Sequence, residues 1–132
     1  MQVKNEYLIF DLKFYEGYID NIECVLVESG VGKVNAARCC QILIDNMKVD
    51  YIFNIGVAGG ISNKLNVLDI VIGEKLVQHD FDVTAFGREK GFIPETGRFF
   101  EADKTLLEKC KNIKIDKKKI VTGIIGSGDV FL

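Results

Sequence analysis

The chain has 132 residues, which is enough for one domain with a core of its own. Apolar residues make up 48% and charged residues 27%, a composition that excludes a disordered chain. The net charge of −2 gives no general attraction to nucleic acid or acidic membrane, and no apolar run reaches the roughly 18–20 residues of a membrane span.

The first predicted elements are a strand and a helix joined by a glycine turn. Residues 23–29 are apolar and β-branched and predict a strand, and residues 33–47 predict a helix. The apolar positions of this helix recur at three- and four-residue steps and predict one buried face: Ala36, Cys40, Leu43 and Met47.

The rest of the chain continues the alternation. Residues 51–57 are apolar at nearly every position, which predicts a strand covered on both faces, as in a parallel sheet. Further strands are predicted over 69–77 and 120–125, with an irregular stretch from 80 to 100 and a short helix capped by Asp103. This order predicts a single α/β domain over residues 1–132 with a mainly parallel sheet.

The metal-binding and thiol residues show no ligand spacing. His79 is the single histidine, and none of the four cysteines forms a C-x-x-C pair: Cys24, Cys39, Cys40 and Cys110. We therefore expect reduced, mostly buried thiols, a cytoplasmic protein and no metal site.

Two glycine-rich turns each leave two interpretations open. The turn at 29–33 is either a tight strand-to-helix connection or an anion contact at a helix start, and it matches neither a Walker A loop nor a dinucleotide fingerprint. The small residues at 54–60 either allow close packing against a helix or let a ligand lie along bare backbone.

Acidic residues on two later turns are also ambiguous. Asp80 and Asp82, beside His79, could act as a base or bind a cation, or they could cap turns and orient the loop. Asp129 could bind a ligand or close an Asx-type turn. The lysines between residues 109 and 119 predict a solvated surface.

Five segments, in this order, carry a resemblance to a known family. They are S-G-V-G-K-V-N-A-A at 29–37, D-Y-I-F-N-I-G-V-A-G-G at 50–60, L-D-I-V-I-G at 68–73, H-D-F-D-V-T-A-F-G at 79–87 and S-G-D-V-F-L at 127–132. Together they resemble the 5′-methylthioadenosine/S-adenosylhomocysteine nucleosidases of the purine nucleoside phosphorylase-like family. The resemblance implies a three-layer α/β fold, with a mainly parallel or mixed central sheet flanked by helices, that is incomplete here.

The resemblance also implies an activity. Family members hydrolyse the N-glycosidic bond of a 5′-thio-substituted adenosine, releasing adenine in methionine salvage and nucleoside catabolism. They need no cofactor, and they form homodimers that bind a small nucleoside, not nucleic acid or membrane. The family's catalytic Glu and Asp have no counterpart in residues 1–132, so we expect a chain truncated at both ends that is inactive alone.

The resemblance further implies binding positions. The strand-end turn that lies along the nucleoside corresponds to Val57, Ala58 and Gly59. The segment that stacks on adenine corresponds to Phe131 and Leu132. The loop that reaches into the neighbouring subunit's alkylthio pocket corresponds to Val83, Phe86 and Pro94. Leu68 departs from the pattern, because relatives commonly have glycine there.

Two alternatives remain. One is a purine or uridine nucleoside phosphorylase relative, which would need a basic phosphate site near Lys33. The other is a non-catalytic fragment that binds nucleoside or dimerises.

Overall fold

The computed structural model describes residues 1–131. Contacts divide the chain into two compact units, one over residues 1–55 and the other from residue 56 onward. Each unit contains a three-stranded sheet and one α-helix, so the α/β class predicted from the sequence is confirmed. The single domain remains a prediction.

The first unit begins with an antiparallel meander of three strands: β1 (Gln2–Ile9), β2 (Leu12–Ile19) and β3 (Ile22–Val27). The turn residues Phe10 and Asp11, and then Asp20 and Asn21, all have positive φ. Two such residues in a row suit the twist of a two-residue hairpin, and Asp and Asn tolerate this conformation. β3 agrees with the strand predicted over 23–29, whereas β1 and β2 were not predicted.

A helix completes the first unit and supplies half of its core. Helix α1 (Lys33–Asp45) presents Cys39 and Ile42, which cluster with the buried Leu12 and Phe14 of β2. Leu43 and Met47 pack at the margin of this cluster, as predicted, but Ala36 is exposed and Cys40 only half-buried. The helix boundaries were thus predicted closely, and its buried face is centred on Cys39 and Ile42 because those positions meet Phe14.

The second unit has a mixed sheet in the order β5-β4-β6. Strand β4 (Ile70–Gln78) pairs in parallel with β6 (Ile120–Ser127) and antiparallel with the short β5 (Phe100–Glu101). These bounds confirm the strands predicted over 69–77 and 120–125. A mixed sheet also agrees with the fold class expected from the resemblance.

Helix α2 (Lys104–Lys111) follows β5 and begins where the sequence predicts. The carboxylate of Asp103 accepts a 2.9 Å hydrogen bond from the backbone N–H of Leu106. This bond satisfies one of the amide groups that the first turn of a helix leaves without an intrahelical partner. The predicted cap is therefore confirmed.

The strand predicted over residues 51–57 does not form. This stretch joins no ladder with any strand in the described part of the chain, and its residues are all exposed. A strand that is apolar on both faces needs a neighbour at an edge and cover on its faces. Because the described residues supply neither, the apolar pattern alone does not produce a strand here.

Candidate functional site

The carboxyl ends of the parallel strands β4 and β6 bring two polar segments together. Gln78 lies opposite Ser127 in the ladder, and the amide of His79 donates a 3.0 Å hydrogen bond to the Ser127 carbonyl. One residue further, the amide of Asp129 donates a 2.8 Å hydrogen bond to Oδ2 of Asp80. Two motifs that are separate in the sequence therefore form one structure at this edge of the sheet.

Glycine at position 128 is required by the packing of these segments. A Cβ built on Gly128 would lie 2.5 Å from Nε2 of His79 and 2.9 Å from Cγ of Asp80. Real Cβ atoms essentially never approach other atoms so closely, so any side chain there would displace the imidazole and the carboxyl. The backbone at Gly128, just after the end of β6, thus packs directly against the His79 and Asp80 side chains.

Asp82 caps the short turn that follows. Its Oδ1 accepts hydrogen bonds from the backbone N–H (3.0 Å) and the hydroxyl (2.7 Å) of Thr84, which begins a 3-10 turn over Thr84–Phe86. These bonds, the backbone one first, lower the pKa of the Asp82 carboxyl. Asp82 therefore takes the turn-capping role that the sequence left open, and a lowered pKa makes it a poor proton donor near neutral pH.

The three residues expected in the alkylthio pocket line one open cavity of about 410 Å³. Val83, Phe86 and Pro94 share this cavity with Phe92, Arg88 and Glu95. The Arg88 guanidinium lies over the Phe92 ring, 5.1 Å from its centroid, while Phe86 is 83% exposed. The family resemblance had indicated Val83, Phe86 and Pro94. It had not indicated Arg88, Phe92 and Glu95, whose only signal in the sequence was their position in the same irregular stretch.

The positions expected along the nucleoside are open to solvent. Val57 and Phe131 are fully exposed, so neither side chain packs on a described residue. A Cβ built on Gly59 would meet no described atom within 4 Å, and therefore close packing against the described residues does not explain the glycine. Leu132, the remaining expected position, lies outside the described residues.

The glycine turn before α1 has a structural explanation. Gly30 and Gly32 both have positive φ, and the side-chain amide of Asn35 donates a 2.7 Å hydrogen bond to the Val31 carbonyl. The tight strand-to-helix connection is therefore present. An open cleft of about 370 Å³ lies beside it, lined by both acidic and basic side chains, including Glu28 and Arg38.

The remaining motifs have structural roles or carry no site. The lysines between 109 and 119 are exposed, as predicted, and Lys111 pairs with Glu108 at 2.8 Å. All four cysteines are free, with Cys39 buried and the other three half-buried. Within the described residues, no three His, Cys, Asp or Glu side chains are arranged to hold a metal ion. No described helix has both the length and the apolar character of a membrane span.

Comparison with known proteins places the chain in a family. The model of the phosphorylase superfamily matches residues 4–132. The 5′-methylthioadenosine/S-adenosylhomocysteine nucleosidase of Geobacillus kaustophilus is 41% identical over 134 residues, which cover 100% of this chain and 57% of that protein. The chain thus spans a little over half the length of the curated relatives it matches.

Solved structures agree. The nucleosidase of Helicobacter pylori, bound to butyl-thio-DADMe-Immucillin-A, superposes with a TM-score of 0.90 at 32% identity, over 97% of this chain and 56% of that one. The nucleosidase of Colwellia psychrerythraea, in complex with adenine, gives a TM-score of 0.90 at 38% identity, over 96% of this chain and 54% of that one. The resemblance inferred from the five segments is confirmed, and the chain belongs to the phosphorylase superfamily.

Proposed function

We propose that this chain forms the nucleoside-binding part of an N-glycosidic hydrolase that releases adenine from 5′-methylthioadenosine or S-adenosylhomocysteine. The observation that carries the proposal is the likeness, along essentially the whole chain, to nucleosidases solved with adenine or with a thio-substituted inhibitor. The match to the Geobacillus kaustophilus nucleosidase covers 100% of this chain and therefore includes every segment on which the sequence resemblance depends.

The chemistry of the bond assigns different tasks to different groups. Cleavage passes through an oxocarbenium-like transition state, so the enzyme protonates the leaving purine and positions a water at the sugar. We assign both tasks to carboxylates outside residues 1–132. Asp80 and Asp82 do not replace them, because each already accepts a backbone hydrogen bond from within the chain.

Binding is the task of the described residues. We propose that the bare backbone at Ala58 and Gly59 lies along the nucleoside and that Phe131 stacks on the base. Val83, Phe86 and Pro94 form an apolar wall for the thioether, supplied to the neighbouring subunit of a homodimer. The cavity of about 410 Å³ is lined mainly by apolar side chains, with Arg88 and Glu95 beside them, and such a lining suits an uncharged alkylthio group. A cytoplasmic location and a role in methionine salvage complete the proposal, and the four free thiols suit that compartment.

A graft tests the proposal. In a hybrid protein, residues 1–132 of this chain replace the aligned segment of the Geobacillus kaustophilus nucleosidase. The remainder of the hybrid is the relative's own sequence. We expect the graft to release adenine from methylthioadenosine equally well with and without phosphate, and the isolated 132-residue chain to bind adenine but release none.

Two controls accompany the graft. The unmodified relative sets the reference rate, and a graft carrying Phe131→Asp should lose adenine release, since it places a charge against the base. Release that requires phosphate would instead identify a phosphorylase. A folded graft without activity or adenine binding would favour a non-catalytic chain.

A further inference from the structure

The hydrogen bond between Asp80 and Asp129 joins two segments 49 residues apart. It lies just beyond the last pair of the β4–β6 ladder, where Gln78 faces Ser127. Beyond the end of β6 the chain continues into Val130 and Phe131, which are 64% and 101% exposed. Side-chain packing therefore does little to hold these two residues, and the bond at the preceding residue, Asp129, restrains the backbone that leads into them.

The bond has the properties of a fixed anchor. A carboxylate accepting from a backbone N–H makes a charge-assisted hydrogen bond, roughly twice as strong as a neutral one. Asp80 is half-buried, and its carboxyl group and the His79 ring lie against the α-carbon of Gly128. The position of the carboxylate is thus set by packing on Gly128 as well as by the bond.

We propose that Asp80 is a positioning residue for purine binding, which holds the backbone of residues 129–131 so that Phe131 meets the base in a fixed orientation. The inference rests on the proposed function, in which Phe131 contacts adenine. Asp80 touches neither base nor sugar in this scheme, and it acts through the amide of Asp129. A base-binding segment held in advance avoids the loss of conformational freedom that a loose segment would undergo on binding.

The neighbouring aspartate provides a matched control. Asp82 is two residues away on the same loop, but its carboxylate accepts the hydrogen bonds of Thr84, and the bond to the Asp129 amide belongs to Asp80. Asp82→Asn therefore perturbs the loop without removing the anchor. Asp80→Ala removes the acceptor, whereas Asp80→Asn keeps an acceptor oxygen without the charge.

The experiment uses the 132-residue chain and adenine as the probe. Amide hydrogen exchange of Asp129 and adenine affinity are measured by NMR for the unaltered chain and the three variants. We expect Asp80→Ala to speed exchange at Asp129 and to weaken adenine binding about tenfold, because adenine binding must then order the loose 129–131 segment. Asp80→Asn should be intermediate, and Asp82→Asn should match the unaltered chain in both measurements.

The outcomes separate this inference from the proposed function. If Asp80→Ala speeds exchange but leaves adenine affinity unchanged, the positioning role is wrong and the adenine site stands. If Asp80→Ala and Asp82→Asn weaken binding equally, loop integrity explains the loss and the inference is overturned. If the unaltered chain binds no adenine although Asp129 exchange responds to Asp80→Ala, the adenine site itself fails, and with it the role of the anchor in base binding.

Discussion

The phenol of Tyr7 donates a 2.8 Å hydrogen bond to the carboxylate of Glu16, on the neighbouring strand of the first sheet. The same carboxylate oxygen accepts a 2.9 Å bond from the side-chain amide of Asn5. These bonds, that from Asn5 first, lower the pKa of Glu16, and the bond to Glu16 raises the pKa of Tyr7. The Tyr7–Glu16 pair therefore makes the stability of the meander depend on pH, through Glu16 at acid pH and through Tyr7 at alkaline pH.

Glu16→Gln should reduce the loss of stability that the protein shows as pH falls. Because the pKa of Glu16 is lower in the folded state, its contribution is fully present above the unfolded value of 4.5 and is lost as pH falls through the folded value. The variant should therefore have a lower urea midpoint than the parent at pH 7, with a smaller difference at pH 3.

The control for this prediction is Glu28→Gln, which removes a carboxylate outside the Tyr7–Glu16 pair. Its effect on the urea midpoint at pH 7 gives the reference for removal of one negative charge from the first unit. A Glu16→Gln difference that stays the same at both pH values would contradict the linkage. At alkaline pH the raised pKa of Tyr7 predicts a second loss of stability in the parent as pH rises through the folded value.

Leu68→Gly should stabilise the protein. Leu68 has a φ of +75° and is 71% exposed, so it occupies a left-handed conformation with little burial to compensate. That conformation costs a non-glycine residue roughly 1–2 kcal/mol, and the greater freedom of glycine in the unfolded chain offsets about 0.4–1 kcal/mol of this. We therefore expect the free energy of unfolding, measured in urea, to rise by roughly 0–1.6 kcal/mol.

The adjacent Val67 gives the comparison for Leu68. Val67 is 93% exposed but does not have a positive φ, so Val67→Gly should destabilise the chain. The positive φ at Leu68 also explains why relatives commonly have glycine at this position, since glycine adopts this conformation without strain. Equal destabilisation by both glycine variants would show that the turn at Leu68 is not strained.

Gly59→Ala should separate binding from stability. A Cβ at this position meets no described atom within 4 Å. The free energy of unfolding, measured in urea, should therefore stay within about 0.5 kcal/mol of the parent's. If the nucleoside lies along this backbone, the added methyl should weaken adenine binding at least tenfold in a titration. Gly60→Ala, where the Cβ would make an ordinary 3.5 Å contact with Leu65, should leave adenine affinity unchanged.

Phe86→Ala should affect the thioether and not the base. The side chain is 83% exposed in this structure, so its loss should leave the melting temperature of the chain unchanged. In the active graft, burial of one aromatic ring against the alkylthio group contributes roughly 1.5–3 kcal/mol. Methylthioadenosine should therefore bind tenfold or more weakly, whereas adenine, which lacks that group, should bind as before.

Phe10→Ala is the matched control for Phe86, because Phe10 is 73% exposed and lies in the β1–β2 turn of the other unit. It should alter neither affinity. Equal weakening of adenine and methylthioadenosine by Phe86→Ala would contradict the assignment of this cavity to the thioether.

Local patterns determined much of the fold. β3, β4, β6 and both helices begin and end close to the predicted residues, because periodicity and the Asp103 cap act over a few neighbours. The signal for β1 and β2 was weaker, since most of β1 is exposed and its alternation is poor. The Asp20-Asn21 pair was the local clue that the prediction missed, because these two residue types tolerate the positive φ that the structure shows there.

The sequence by itself therefore determined the α/β class, most element boundaries and, through five ordered segments, the family. The tertiary structure alone decided what the ambiguous residues do. It placed the carboxylate of Asp80 on the amide of Asp129, and it left residues 51–57 without a ladder partner among the described residues. The physical reason is that local backbone conformation depends on residues close in the sequence. A hydrogen-bond partner 49 residues away, or the lack of a neighbouring strand, depends instead on how distant segments meet.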